Sequence, residues 1–200
     1  MTRRPFRFGD SGQAFPIYLT VVGGLLFLAF AYFAVGQAAV NRNGAQTAAD
    51  AAALAAAQDT RDQLAGAWVQ DVLDPTKWQD IFHGKSDGLL PSCGRAYQLA
   101  ARNDAGVISC APDGPLGFTV EAQTNKPIGD SVIPSTKDRR SHADAKAVIE
   151  PLCSFELPAA GAGPHTLPRL SCKDRNWDLD PQHLTDLPGP QDLFDVHLAD

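Results

Sequence analysis

Charge is missing from a long stretch near the start of the sequence, since no Asp, Glu, Lys or Arg lies between Asp10 and Arg42. Within that gap, residues 14–36 read AFPIYLTVVGGLLFLAFAYFAVG. As a helix, this stretch would extend about 34 Å at roughly 1.5 Å per residue, which is enough to cross a hydrocarbon core of roughly 30 Å. The sequence therefore predicts a membrane-spanning helix over residues 14–36 and excludes a purely soluble protein.

The formal net charge of −6 hides a difference between two parts of the chain. Residues 1–36 contain Arg3, Arg4 and Arg7 against Asp10, a net +2, so residues 37–200 carry −8. Short flanks rich in Lys and Arg stay in the cytoplasm, so we expect residues 1–13 to be cytoplasmic and the C-terminal part to be extracellular. Because phosphate would repel the acidic part, we expect no nucleic-acid partner.

Cysteine is absent before Cys93, and all four cysteines fall in the part assigned to the outside, where disulfides persist. Three pairings are possible. We favour Cys93 with Cys110 and Cys153 with Cys172, because each pair then closes a loop of under 20 residues. A zinc site is the alternative, but no C-x-x-C or H-x-x-H spacing occurs, so we expect no metal.

Motifs for catalysis are also missing, because the sequence contains no Gly-rich phosphate loop, paired-acid site or nucleophile elbow. Residues 9–12 spell GDSG, which surrounds the nucleophile of trypsin-like proteases. That fold needs a His and an Asp held by β-barrels built largely upstream, whereas only eight residues precede the motif. We therefore expect no enzyme and no cofactor.

One partial calcium-loop pattern occurs near the C-terminus. Oxygen-bearing side chains stand at its positions 1, 3, 5 and 7, a spacing that can wrap a hard cation. The pattern then fails, because Leu179 occupies the place that needs Gly and Thr185 the place of the bidentate Glu. A solvated acidic segment is the better interpretation. The four matching residues are Asp174, Asn176, Asp178 and Asp180.

An Ala-rich stretch follows the apolar segment, and no proline occurs from residue 37 until Pro75. Alanine has the best helix propensity, so residues 37–74 predict an extracytoplasmic continuation of the same helix. We expect it to reach about Leu73, with Gly44 as a weak point and Asp74 followed by Pro75 as the stop.

Alanines recur at i, i+4 spacing along this continuation and form a smooth face that another helix can approach closely. We predict that this face mediates helix packing, and that leucine at Ala49 and Ala53 blocks it without unfolding the outer domain. The alternative is a solvated stalk whose alanines reflect coding bias. The predicted helix-packing residues are Ala45, Ala49, Ala53 and Ala57.

Residues 12–15 (GQAF), the aromatic-rich span and residues 43–55 (NGAQTAADAAALA) resemble the N-terminal segment of TadE/TadG-like proteins of the Flp pilus (tight adherence) system. The most specific piece is residues 46–57, where the family typically shows a similar A-D-A-A-A-L-A-A-A run. The resemblance covers about residues 9–60. It implies a non-catalytic, membrane-anchored, pilin-like accessory subunit whose partners are other pilin-like or pilus-assembly proteins, with self-association through the N-terminal helix.

The resemblance also raises the question of N-terminal processing. Pilin precursors of this class are cut after a Gly that is followed, five positions on, by Glu and then Tyr. After Gly12 this sequence has Ile17 in the Glu position, while Tyr18 matches. A processed chain would begin at Gln13.

A second form of processing would release the protein. Residues 2–6 (TRRPF) resemble a twin-arginine export signal, and residues 34–39 offer small side chains for a peptidase. A start near Ala38 or Ala39 would give a released binding protein of the envelope or medium. An apolar stretch of 23 residues exceeds the 7 to 15 typical of signal peptides, so we favour retention.

Residues 75–153 predict a small α+β outer domain. Residues 76–82 and 93–102 are expected to be short helices, while residues 117–124 and 142–149 alternate as half-buried strands that pair antiparallel. The remaining residues, 154–200, carry a net −5 and six prolines, which predicts an acidic tail of coil with brief turns. The expected fold class is α+β, with a long N-terminal transmembrane helix, a disulfide-stapled domain and this tail.

Overall fold

A computed structural model describes residues 14–127, 138–157 and 167–199. Several sequence predictions fall outside these described residues. They are the topology arginines Arg3, Arg4 and Arg7, the GDSG motif and the Gly12 processing position.

The first element is a single helix, α1, over Ala14–Gln70. Its 57 residues extend about 85 Å. The structure confirms a helix that continues past the apolar stretch, and Gly44 does not interrupt it. Helix α1 ends three residues before the expected Leu73.

The residues expected to stop α1 instead begin the next helix. Asp74 is the N-cap of α2, where its carboxylate accepts hydrogen bonds from the backbone nitrogen of Thr76 at 3.3 Å and from its hydroxyl at 2.5 Å. These bonds hold the pKa of Asp74 below its usual value. Pro75 occupies the first helical position, where its missing N–H costs nothing.

Two further helices and four strands follow between residues 75 and 155. The helices are α2 (Pro75–Phe82) and α3 (Cys93–Arg102). The strands are β1 (Ala105–Pro112), β2 (Gly117–Thr124), β3 (His142–Pro151) and β4 (Cys153–Phe155). Both predicted helices and both predicted strands are present, whereas β1 was not predicted.

The C-terminal region also forms regular structure. Its elements are β5 (Leu170–Cys172), β6 (Asn176–Trp177), α4 (Pro190–Leu193) and β7 (Phe194–Leu198). The expectation of a coil tail is therefore wrong for residues 167–199, and the division that we set between residues 153 and 154 falls within β4.

The strands form two antiparallel sheets. The larger has the order β1-β2-β3-β7, and the smaller has the order β4-β5-β6. The predicted pairing of β2 with β3 is present, with Val120 opposite Ala145. Strand β7 joins the free edge of β3, where Ile149 faces Val196, so the last strand completes the sheet that we expected to have two strands.

Helix α1 lies across one face of the larger sheet. The alternation predicted for β2 places Phe118, Val120, Ala122 and Thr124 on this face, each at most 7% exposed. Helix α3 packs on the neighbouring side of α1. The core thus lies between the C-terminal half of α1 and the sheet.

Both favoured disulfides are present. Cys93–Cys110 ties α3 to β1, and Cys153–Cys172 links directly opposed residues of β4 and β5. By the loop-entropy model a bridge closing about 15 residues contributes roughly 3 kcal/mol, which matters for a domain of this size. The predicted fold class, a long N-terminal helix followed by a disulfide-bonded α+β domain, is confirmed.

We predict that Phe194→Ala lowers the free energy of unfolding by about 3 to 5 kcal/mol, because this fully buried side chain packs on Phe82 with ring centroids 5.4 Å apart. The matched control is Leu198→Ala in the same strand, where the side chain is 37% exposed and the loss is expected to stay under about 1 kcal/mol. Denaturant unfolding of the purified full chain in detergent measures both. Equal, small losses would mean that the C-terminal segment is not part of the core.

Candidate functional site: one helix in two environments

The first part of α1 exposes apolar side chains in every direction. Phe15, Leu25 and Tyr32 are 73%, 62% and 82% exposed, and no residue in the most apolar 18-residue stretch of α1 is buried inside the protein. A soluble core helix would be covered by its own domain, whereas a helix that is apolar all round needs an apolar solvent. By length and composition, this one helix can cross a membrane.

The end of the exposed segment is marked by Asn41, whose side chain joins α1 to the ends of two strands. Its amide nitrogen donates to the carbonyl oxygens of Lys126 at 3.2 Å and Pro127 at 3.4 Å. Its amide oxygen accepts from the Thr124 hydroxyl and the Ser141 backbone nitrogen, both at 3.2 Å. One side chain thus fixes the start of the outer domain five residues after the apolar stretch.

From Ala45 onward the helix is enclosed by the outer domain. All four alanines of the predicted helix-packing row have zero exposure, and so does the neighbouring row at residues 48, 52 and 56. Helix α1 packs here against β2, β3 and α3. The row therefore permits close approach, as its small side chains suggested, but the neighbours are the chain's own sheet and helix. The four residues are Ala45, Ala49, Ala53 and Ala57.

This burial changes what a larger residue in the row would do. A surface already filled by β2 and β3 offers a partner helix no access without unfolding the domain. Leucine at Ala49 and Ala53 would then meet the sheet before it met another protein. We therefore expect leucine at these positions to lower the stability of the outer domain.

Polar side chains along α1 also bond the outer domain. Thr60 and Ser92 share a buried hydrogen bond of 2.7 Å between α1 and the residue before α3. Gln63 accepts from the Leu90 backbone nitrogen at 2.6 Å and donates to the Ser92 hydroxyl at 3.2 Å. These bonds hold the loop that precedes α3 against the helix.

An aromatic cluster holds the far end of α1. Trp68 is fully buried, with its ring centroid 5.3 Å from that of Trp78 in α2. Trp78 in turn lies 5.2 Å from Phe155 in β4, and its indole N–H donates to the Asp71 carbonyl at 3.1 Å. The outer domain is therefore attached to α1 from Asn41 to the last turn of the helix.

The residues of the partial calcium pattern do not converge on one point. Asp178 forms a two-point ion pair with Arg169 at 2.6 and 2.8 Å, which lowers the pKa of the carboxyl. Asp180 accepts from the Gln182 backbone nitrogen and bonds His183, and these contacts lower its pKa. Asp178 and Asp180 are thus engaged separately on the surface.

One group of possible metal ligands occurs among the described residues. Glu150 of β3 and Asp195 and His197 of β7 are exposed, and their ligand atoms lie within 4.8 Å of one another. The imidazole nitrogen of His197 already bonds the Asp195 carboxylate at 3.2 Å. Exposed side chains on the paired strands β3 and β7 account for the grouping.

Sequence reasoning missed Asn41 as a junction residue. Its signal was present in the sequence as the first polar pair after the apolar stretch, Asn41 beside Arg42. Its partners lie 83 to 100 residues away, so their identity depends on tertiary structure.

Comparison with known proteins adds one match. The family model described as putative Flp pilus-assembly TadE/G-like matches residues 12–59, or 48 of the 200 residues. The resemblance seen in the sequence is confirmed over that range, which contains the apolar segment, Asn41 and the whole alanine row. No curated protein and no solved structure gives a significant match.

We predict that Ala49→Leu and Ala53→Leu each lower the stability of the outer domain by about 1 to 3 kcal/mol, because each inserts a larger side chain into a filled core. Ala39→Leu on the same helix is the control, since that position is exposed. Unfolding of the full chain in detergent, followed by near-ultraviolet circular dichroism, measures the change. Wild-type stability combined with lost cross-linking to other proteins would instead restore the alanine row as an intermolecular surface.

Proposed function

We propose that this chain, whose residues 12–59 match the TadE/G-like Flp pilus-assembly family, is a single-pass membrane protein that acts without catalysis as an accessory component of pilus assembly. The observation that carries the proposal is the change of environment along α1. The helix is apolar and uncovered at its N-terminal end and enclosed by the outer domain from Ala45. The family match spans this change.

The apolar segment is the surface that remains for contacts between helices. Since the alanine row is covered, we propose that self-association and contact with other pilin-like proteins use residues 14–36 within the bilayer. Packing there depends on close van der Waals contact between helices, because lipid offers no hydrophobic driving force. The outer domain is then displayed at the membrane surface on a helix that cannot swivel freely against it.

The proposed orientation follows from charge. Arg3, Arg4 and Arg7 would hold the N-terminus in the cytoplasm, which leaves the disulfide-bonded domain in the extracellular, oxidising compartment. The two disulfides support this orientation, because such bonds persist outside the cytoplasm.

Two matched substitutions test the membrane span. Val21 and Val69 both lie on α1 and are 55% and 43% exposed, but only Val21 falls within the proposed bilayer segment. Val21→Arg is expected to reduce membrane integration, because arginine near the middle of a span costs about 2.5 to 3.5 kcal/mol on insertion scales. Val69→Arg is expected to leave it unchanged.

Extraction of membranes with alkaline carbonate measures integration of both variants. If Val21→Arg and wild type remain equally in the membrane pellet, residues 14–36 do not form the span. Equal loss for both variants would point to misfolding and would also contradict the proposal.

N-terminal sequencing of the protein from its native envelope separates a retained anchor from a released protein. We expect either an intact N-terminus or a start at Gln13, since both keep residues 14–36 attached to the outer domain. A start near Ala38 or Ala39 would remove the span and support the second possibility, a free binding protein in the envelope or medium.

A further inference from the structure

We propose that the outer domain has a membrane-facing basic surface that contacts anionic lipid headgroups, formed by Arg42, Lys126, Arg139 and Arg140. This inference rests on the proposed membrane span. It assigns a lipid partner to a surface that lies outside both the apolar segment and the alanine row. All four side chains are exposed.

The position of this surface follows from the Asn41 contacts. Asn41 lies five residues beyond residue 36, or roughly 7.5 Å along the helix axis. The interfacial layer of a bilayer adds about 5 to 7 Å on each side of its hydrocarbon core. Because Asn41 bonds the carbonyl of Lys126 and the backbone nitrogen of Ser141, the residues beside these partners lie at the outer edge of that layer.

The register of the sheet gives the same result independently. Ala105 pairs with Thr124, and Gln123 pairs with His142. The start of β1, the end of β2 and the start of β3 therefore meet at the same end of the sheet, and this end is the edge of the domain that we place next to the bilayer. Gly44 of α1 lies at this edge, where a Cβ would be 4.0 Å from the Thr124 methyl group. The opposite edge, near the aromatic cluster, faces away from the membrane.

Charge at this edge is opposite in sign to the rest of the outer part. Residues 37–200 carry −8, whereas the basic surface contributes four positive charges against Asp104 and Asp138 nearby. Asp104 engages Lys126 at 3.5 Å, with both side chains nearly 80% exposed. These six residues give a net +2 at the side of the domain that we place next to the bilayer.

Charge complementarity favours anionic lipid headgroups as the partner of this surface. Anionic headgroups attract Lys and Arg within about a Debye length, roughly 8 to 10 Å at physiological salt, and repel an acidic domain. Turning the basic edge toward lipid satisfies both effects. The contact would hold the outer domain close to the bilayer and restrict its tilt about the exit of α1.

Hydrogen exchange of the full chain in nanodiscs tests the contact. Amides of residues 124–127 and 138–142 are expected to exchange more slowly in discs that contain phosphatidylglycerol than in discs of phosphatidylcholine alone. Two net positive charges, at about 1 kcal/mol each, predict a difference of roughly thirtyfold at low salt, which shrinks at high salt. Residues 170–178, on the far side of the domain, report no difference.

Charge reversal provides the matched control. Lys126→Glu with Arg140→Glu is expected to abolish the dependence on lipid charge. Lys85→Glu with Lys173→Glu reverses the same number of exposed charges far from the bilayer and is expected to preserve it. The same exchange rates in both lipids for the wild type, or the same loss in both double variants, would overturn the surface.

The two proposals fail differently. A chain that does not remain in the nanodisc contradicts the membrane span and the basic surface together. A chain that remains in the disc but exchanges identically in both lipids contradicts only the basic surface.

Discussion

The central constraint on this molecule is that one unbroken helix must suit two environments. In hydrocarbon, every backbone polar group needs a partner within the segment, which only a continuous helix supplies to a single span. Beyond the bilayer, side chains of the same helix must pack in the core of the outer domain. The sequence meets the first requirement with large apolar residues on all sides and the second with alanines small enough for a sheet to lie close. Asn41 stands where one requirement gives way to the other.

The outer domain is built around the C-terminal half of α1, while the N-terminal half of the helix lies outside the domain. Alanines contribute little area, so the burial of large side chains is concentrated at the far end, in Trp68, Trp78, Phe82 and Phe194. The disulfides tie α3 to β1 and β4 to β5. The domain is therefore fixed to α1 from Asn41 to Trp68. In the proposed membrane-anchored arrangement, any orientation that the bilayer imposes on the span would pass directly to the outer domain.

Local signals in the sequence were sufficient for the long helix, two short helices, the central strand pair and the disulfide pairing. Each depends on periodicity, helix signals or short loop closure. The alanine spacing predicted a face that another helix can approach, and the structure buries that face against the chain's own sheet and helix α3. A small-residue face can serve a neighbouring sheet as well as another helix, so the spacing alone does not identify the partner. The C-terminal strands were missed for a related reason. Proline content and net charge suggested coil. The buried residues Leu170, Leu193 and Phe194 follow no repeating period, and only the pairing of their strands with β3 and β4 shows their role.

The most direct test of the account is a map of solvent accessibility along α1 in a lipid bilayer. Spin labels placed one at a time from residue 14 to residue 60 report collisions with oxygen, which is enriched in lipid, and with a water-soluble nickel complex. We expect oxygen accessibility over residues 14–36, except on a face that packs against another helix. It predicts a change to nickel accessibility near Asn41, and labels at the alanine row that neither reagent reaches unless they disrupt the domain. Nickel accessibility within residues 14–36 would contradict the claim that α1 passes from membrane to domain core.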